Sequence, residues 1–336
     1  MAPALAVRRA VSGRNFAERI RAAARRRGEL ISSSHTNAYR VFHAEADGVP
    51  DVTVDWFDGV AVCSLYSRWD ESAEREWVDA VACELEARAV YLKRRPRQAS
   101  RLAPPQVSSF APQEPAFGQR VSEHTVLESD LCFRIRPAAG LAVGLYLDMR
   151  DTRRWLYREA RSKVVLNCFA YTCAFAVYAR EGGAKHVVNV DLSRGALDWG
   201  AENARLNGQP VERESYLCGD AFDWLRRLGK REERFDLIIL DPPSFATSKR
   251  SRFSARRDWP RLAAASSLLV NHGGRLLACC NQASLSAARF EEMMRRGFER
   301  VSRRATLIAR LCASPLDFPP LPGRSEALKV LAYELD

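Results

Sequence analysis

Residues 235–245 read Phe235-Asp236-Leu237-Ile238-Ile239-Leu240-Asp241-Pro242-Pro243-Ser244-Phe245, and the break at Asp241 decides the fold. Leu237–Leu240 is a short continuous apolar run, the pattern of a parallel strand buried on both faces. Pro242 and Pro243 carry no N–H for a sheet ladder, so a central strand cannot continue through them. A carboxylate is thereby left at the carboxyl end of a buried strand, the edge at which open α/β sheets hold their ligands. The two prolines form a rigid, carbonyl-lined ledge beside it, and an aromatic ring, Phe245, follows.

Outward from this strand, the chain alternates strand and helix from Lys163 onward. Strands are expected at Val164–Cys168, His186–Asp191, Glu214–Cys218, Leu237–Asp241 and Gly274–Cys279. Helices are expected near Ala174–Arg180, Arg194–Leu206, Ala221–Leu228, Trp259–Val270 and Ser286–Gly297. Two closing strands, Val301–Leu311 and Leu328–Glu334, complete the pattern. Repeated β-α units at this spacing predict an α/β, Rossmann-like doubly wound sheet. The earlier residues read differently. Arg14–Leu30 is a basic helix, with Phe16, Ile20, Ala23, Ala24 and Leu30 at near-helical spacing. Short strands follow with Asp47-Gly48 and Asp58-Gly59 at the turns, then a helix over Glu71–Ala87. The expected organisation is therefore a basic helix in 1–35, a small β-rich α+β module in 36–138 with a loop near 94–115, and the doubly wound domain in 139–336.

Three acids fall at successive strand ends: Asp191, Asp220 and Asp241. Asp191 lies about 24 residues after the first strand, where an acidic side chain accepts the hydroxyls of a ribose. The turn after that first strand, Phe169-Ala170-Tyr171-Thr172-Cys173-Ala174, holds small and polar residues but no Gly-x-Gly-x-x-Gly cradle. NAD, FAD and ATP are disfavoured on that ground. Each acid alone would be an ordinary helix N-cap. Together they point to one nucleoside-like ligand.

The chain of 336 residues carries a net charge of +11, mostly from arginine. Such a field draws polyanions, and guanidinium groups suit phosphates and base faces. Lys249, Arg250, Arg256 and Arg257 follow the Asp-Pro-Pro ledge directly, with Arg252, Arg261 and Trp259 among them, which predicts an RNA clamp with a stacking aromatic. No apolar run approaches the roughly 20 residues of a membrane span. Nine cysteines without a secretory leader imply reduced thiols, and the five histidines form no metal-binding pattern. The first dozen residues are Arg- and Ala-rich, as in transit peptides; the default expectation is a cytoplasmic protein with no metal and no membrane partner, and a homodimer is left open.

A family resemblance rests on several motifs in order: Val165-Leu166-Asn167-Cys168-Phe169-Ala170-Tyr171-Thr172, Val190-Asp191-Leu192-Ser193, Ala201-Glu202-Asn203-Ala204-Arg205-Leu206-Asn207-Gly208 and Leu240-Asp241-Pro242-Pro243-Ser244-Phe245. With Gly144-Leu145-Tyr146-Leu147-Asp148-Met149-Arg150 upstream, the chain from about Arg14 onward resembles bacterial large-subunit ribosomal RNA methyltransferases of the cytosine-C5 type, and a sister group that makes N7-methylguanine. The resemblance implies a class I fold that binds S-adenosylmethionine (SAM). Asp191 and Leu192 would contact ribose, and Asp220 and Ala221 adenine. Asn167, Phe169, Tyr171 and Thr172 would line the methionine end, with Tyr146, Asp148 and Arg150 closing over the cofactor. Two positions depart from the pattern: Cys173 stands where glycine is usual, and Asp317-Phe318-Pro319 stands where Asp-His-Pro is usual.

Cytosine C5 becomes nucleophilic only after a thiolate adds at C6. The resemblance places that thiol at the end of the fifth strand, Leu276-Leu277-Ala278-Cys279-Cys280-Asn281, with register favouring Cys280. Asp241 would bond the exocyclic amine or move a proton, while the Pro242 carbonyl and Phe245 hold the base. Guanine N7 already carries a lone pair and needs no cysteine. The expectation is thus an RNA base methyltransferase: cytosine C5 first, guanine N7 second, and a non-catalytic RNA-binding assembly protein as the alternative of a different class.

Overall fold

The computed structural model describes residues 15–95, 110–243, 245–247, 252–254, 257–320 and 327–336. The chain divides into two compact units. In the first, strands β1 (Ala38–His43), β2 (Val52–Phe57), β3 (Val60–Leu65), β4 (Ala89–Arg94) and β5 (Phe117–Gly118) form one sheet in that order. The β2–β3 loop is Asp58-Gly59, and both residues take positive φ, as a two-residue hairpin requires. Helix α1 (Phe16–Arg26) buries Phe16, Ile20 and Ala23 beside α2 (Glu71–Glu84), with the Phe16 and Trp77 rings edge to face at 5.1 Å. The basic N-terminal helix is thus part of a folded core. Just after it, the fully buried Arg27 pairs with the equally buried Asp47 at 2.7 Å. Asp317 is a structural residue of this unit: its buried carboxylate accepts the Arg40 N–H at 3.2 Å, and the Arg40 guanidinium lies over the Phe318 ring at 4.5 Å.

A hairpin of β6 (His124–Glu128) and β7 (Leu131–Ile135) turns at Ser129-Asp130, both with positive φ. Only the second of these strands is legible in the sequence.

The second unit holds a seven-stranded sheet. Its strands are β8 (Val164–Cys168), β9 (His186–Asp191), β10 (Tyr216–Cys218), β11 (Phe235–Leu240), β14 (Val270–Asn281), β15 (Ala305–Leu311) and β16 (Leu328–Leu335). Two short strands, β12 (Phe245–Thr247) and β13 (Arg252–Ser254), pair separately. The order across the large sheet is β10-β9-β8-β11-β14-β16-β15. The first five are parallel and β16 is antiparallel to both its neighbours.

Side-chain alternation sorts the core into two layers. Leu166, Cys168, Ile238, Leu240, Leu276, Ala278 and Cys280 pack toward α6 (Ala221–Lys230), α7 (Trp259–Ser267) and α8 (Ala287–Glu299). Val165, Leu237, Ile239, Leu277 and Cys279 pack toward α3 (Arg150–Glu159), α4 (Ala174–Glu181) and α5 (Arg194–Leu206).

Several boundaries differ from the sequence pattern: β15 starts at Ala305 and not Val301, β10 at Tyr216 and not Glu214, and α2 ends at Glu84 and not Ala87. The helix expected to reach Val270 stops at Ser267, and β14 starts at Val270 and runs for 12 residues. The Gly273-Gly274 pair reads as a turn but is absorbed within the strand, where the β11–β14 register shifts and Gly273 takes φ +70°.

Gly200 on α5 marks the tightest approach between α5 and the loop after β8. A Cβ there would lie 2.3 Å from the Cys173 sulfur and 3.2 Å from the Thr172 carbonyl carbon. Gly200→Ala is expected to destabilise the protein by about 1–3 kcal/mol, the usual cost of overpacking, seen as a lowered thermal midpoint. An unchanged midpoint would show that this contact is slack.

Candidate active site

Strand β8 has β9 on one side and β11 on the other, so the winding reverses between β8 and β11, where doubly wound sheets open a crevice. Parallel register aligns Cys168 with both Val190 and Leu240. The loop after β8 and the Asp241 ledge therefore leave neighbouring strand tips.

That loop is held in an unusual form. Phe169, Tyr171 and Cys173 all have φ between +47° and +61°. A non-glycine residue in this region costs roughly 1–3 kcal/mol and persists where its surroundings enforce it. Here the enforcement is visible. The Tyr171 N–H donates to Asp191 Oδ2 at 2.8 Å, and the Ala170 N–H to the Val190 carbonyl at 3.0 Å. Asn203 on α5, itself fully buried, donates from Nδ2 to the Thr172 carbonyl at 2.9 Å. Asp191 Oδ1 accepts the Ser193 N–H at 2.8 Å. An ionised carboxylate has about four acceptor positions, so Asp191 can take these two donors and still accept ribose hydroxyls.

Asp220 caps α6: its Oδ1 accepts the Phe222 and Asp223 N–H groups at 2.9 and 3.2 Å. Gly219 before it has φ +152°, and its N–H donates to the Asp191 carbonyl at 2.8 Å, joining the second and third strand tips. Leu192 is 52% exposed beside Asp191, an apolar surface at the same edge. Asn167 is fully buried on β8, and its Oδ1 has no hydrogen-bond partner among the described residues.

Asp241 differs from the other two acids. Its side chain is half-buried at the β11 tip; burial first, then repulsion from Asp148, pushes its pKa up to about 7, against the pull of Arg153. Asp148 in turn accepts from Asn281 Nδ2 at 3.2 Å, so the β14 tip reaches this acidic pair through an amide. Arg150 and Arg153 are buried at the start of α3, next to Asp148 in the chain. Tyr146 belongs to the first unit and is half exposed. Pro242 is buried.

The thiols are closed off. Alternation along β14 puts Cys279, not Cys280, on the side of Asp241 and Asn281. Cys280 is 1% exposed and faces the layer of Trp259, Leu285 and Phe290. Burial raises its pKa, partly opposed by Lys329, the Gln282 N–H and Trp259. Cys279 is fully buried and its thiol is pushed well above the ordinary value, by burial and then by Asp241. Cys280, the thiol that register favours in the sequence, thus packs in the layer opposite to the one holding Cys279. Trp259 is a correction to the sequence reading. It is fully buried, with its ring 4.7 Å from that of Phe290, and is unavailable to stack on RNA. Arg257 is exposed. Lys249, Arg250 and Arg256 lie outside the described residues, as does the side chain of Phe245.

A doubly wound sheet with acids on three successive tips and a cationic, nucleoside-bearing methyl donor are matched in charge and in order. The strained loop brings backbone to the crevice, Asp191 offers ribose acceptors, and the unpartnered Asn167 oxygen lies one residue below the tip of β8. Comparison with known proteins agrees. The family model described as S-adenosylmethionine-dependent methyltransferase matches residues 39–333, and the chain belongs to this family, with SAM as its cofactor. It is 34% identical over 266 residues to Ribosomal RNA large subunit methyltransferase I of Photobacterium profundum, covering 78% of this chain and 65% of that protein. To the protein of the same name in Alteromonas mediterranea it is 33% identical over 300 residues, covering 88% and 73%. The crystal structure of SMU.776 complexed with SAH matches at TM-score 0.85 and 25% identity, over 95% of this chain and 80% of that one. Among the described residues, no helix is long and apolar enough to cross a membrane and no cluster of acids, cysteines and histidines gathers to hold a metal.

Sequence reasoning missed Asn203 as the anchor of the cofactor loop and Asn281 as the residue presented at the β14 tip. Asn203→Ala removes a buried hydrogen bond worth about 1–3 kcal/mol when its partner is left unpaired. It should weaken SAM binding about tenfold by calorimetry; an unchanged affinity would show that the strained loop holds without it. A second expectation follows from Asp241. Its folded pKa near 7 exceeds the unfolded value near 4, so the folded chain keeps a proton that the unfolded chain has lost, and stability falls as pH rises between them. Asp241→Asn should therefore be more stable than wild type at pH 8 and nearly equal to it at pH 4. Equal thermal midpoints at both pH values would contradict that raised pKa.

Proposed function

We propose that this chain methylates a base of large-subunit ribosomal RNA. The observation that carries this reading is the half-buried Asp241 carboxyl on the Pro242-Pro243 ledge, next to the cofactor loop at the point where the winding reverses. A group poised near pH 7 can, when ionised, accept from the exocyclic amine of a planar base and, when protonated, donate to a ring nitrogen or carbonyl beside it, and so can hold or move a proton there. The names of the relatives and the net charge of +11 support RNA over a small-molecule acceptor. SAM supplies an electrophilic methyl group for in-line displacement, so the protein's work is largely positioning. Asp241 and the Pro242 carbonyl orient the acceptor edge, and Asp148 and Asn281 frame the adjoining tip.

For the acceptor atom, cytosine C5 is the first reading. Cys280 is its thiol: the Lys329 ammonium, the Gln282 N–H and the Trp259 indole all favour the thiolate, and the strand end must open to admit C6. Guanine N7 is the second reading, favoured by the burial of both thiols and by the amide of Asn281 where a nucleophile would otherwise face Asp148.

Unmodified large-subunit RNA incubated with isotopically labelled SAM should yield one labelled nucleoside. Asp241→Ala should cut turnover by at least a hundredfold. 5-Methylcytidine made by wild type but not by Cys280→Ala supports the thiol route. 7-Methylguanosine, or full turnover by Cys280→Ala, selects the second reading. Label in no nucleoside at all would overturn the RNA assignment.

A further inference from the structure

A groove of about 840 Å³ runs between α6 and α7, away from the crevice described above except at its mouth, where Asp220 lies. Its walls carry four cations: Arg226 and Lys230 on α6, Arg234 at the approach to β11, and Arg261 on α7. All four side chains are exposed. Two carboxylates offset them in part. Asp220 caps α6 and Asp223 accepts from Arg226 at 2.8 Å. The floor is apolar, with Leu225, Ala265 and Leu269, and Leu268 stands 54% exposed at the rim.

Helix electrostatics explains only part of this. Lys230 in the last turn of α6 complements the negative end of that helix. Arg261 does the opposite: it sits in the first turn of α7, where a cation opposes the macrodipole. Its guanidinium instead lies over the Phe222 ring at 4.2 Å, turned toward α6. Arg234 belongs to neither helix. Three separate elements thus deliver positive charge to one channel, at a local cost in one of them.

We propose that this groove carries the sugar-phosphate backbone of the RNA strand that continues from the target base. The inference rests on the RNA reading above. The groove starts beside the cofactor edge at Asp220, Phe222 and Arg261, and runs along the ten residues of α6, about 15 Å, the span of a few nucleotides. Guanidinium and ammonium groups meet phosphates while the sugars pass over the apolar rim at Leu268, the backbone-directed part of sequence-tolerant single-strand binding. These contacts position the strand, and they carry no base readout.

The test is a quadruple variant, Arg226→Ala with Lys230→Ala, Arg234→Ala and Arg261→Ala, in the full chain. Binding of a large-subunit RNA fragment is measured across salt concentrations. The slope of log affinity against log salt should flatten by about 0.7 for each phosphate that is no longer neutralised, up to about 3 in all. Affinity at 0.15 M salt should fall at least tenfold. SAM affinity by calorimetry and the thermal midpoint should match wild type, since all four residues are exposed. A variant with lysine at the three arginine positions should recover most of the slope. Arg295→Ala with Arg296→Ala, two exposed arginines of α8 that pair with Glu292, should change nothing. If the quadruple variant keeps the wild-type slope while wild type binds and methylates RNA, the groove proposal alone falls. If wild type itself shows neither salt-dependent RNA binding nor RNA methylation, the RNA reading falls and takes the groove with it.

Discussion

The alignment of Cys168 with Leu240 across β8 and β11 is the constraint on which the site depends. It sets the strained 169–173 loop and the Asp241 ledge on adjacent tips at the one place where helices leave the sheet in opposite directions. A register shift of one residue would turn Asp241 toward the opposite layer, because side chains alternate faces along a strand. The Asp191 carboxylate secures the arrangement from the other side by taking the Tyr171 and Ser193 N–H groups. Gly219 then links the third tip to the same strand. Three strand ends are thereby tied to one another by backbone donors.

The acid cluster at the β11 tip works differently. Asp241 and Asp148 repel one another, and Arg153 relieves this only in part. Burial is the larger effect on Asp241 and the Asp148 charge adds to it, so Asp241 keeps a proton up to about pH 7. This suits a base edge that presents donors at one position and acceptors at the next. It also bears on the cysteines, since a thiolate beside this pair would add a further negative charge; Cys279 stays neutral for that reason as well as by burial. Cys280 faces the other layer, where Lys329, the Gln282 N–H and Trp259 offset part of its burial and Asp241 is only the last of the effects on it, but it too is closed off.

The sheet was legible because buried parallel strands are short, mostly apolar runs; β11 is a continuous one ended by Asp241, β9 ends in Asp191, and β8 is apolar around the single amide of Asn167. The three strand-tip acids were legible for the same reason. What failed was local. Gly273-Gly274 reads as a turn by composition, and only pairing with β11 shows it to be a bulge within a long strand. Cys279 and Cys280 differ by one residue, and no composition distinguishes the two faces of a strand buried on both. Trp259 sits among arginines in the chain, yet its first-turn position on α7 directs it into the core. Asn203 was invisible as a loop anchor because an amide on a helix face resembles any solvated polar residue until its partner, a carbonyl about thirty positions earlier, is placed beside it.

The cysteine at position 173 shows how one departure from the family pattern is accommodated. A residue with φ +57° at the entrance to α4 favours glycine, and a cysteine there must both bear the left-handed backbone and house a sulfur. The structure meets the second demand with Gly200, whose missing side chain leaves the space that the sulfur fills. The first demand is met by the anchors on either side, at Tyr171 through Asp191 and at Thr172 through Asn203. A loop that would be flexible with glycine is thereby made stiff with cysteine. The strain in its backbone is carried by bonds from two other elements, Asp191 at the β9 tip and Asn203 on α5.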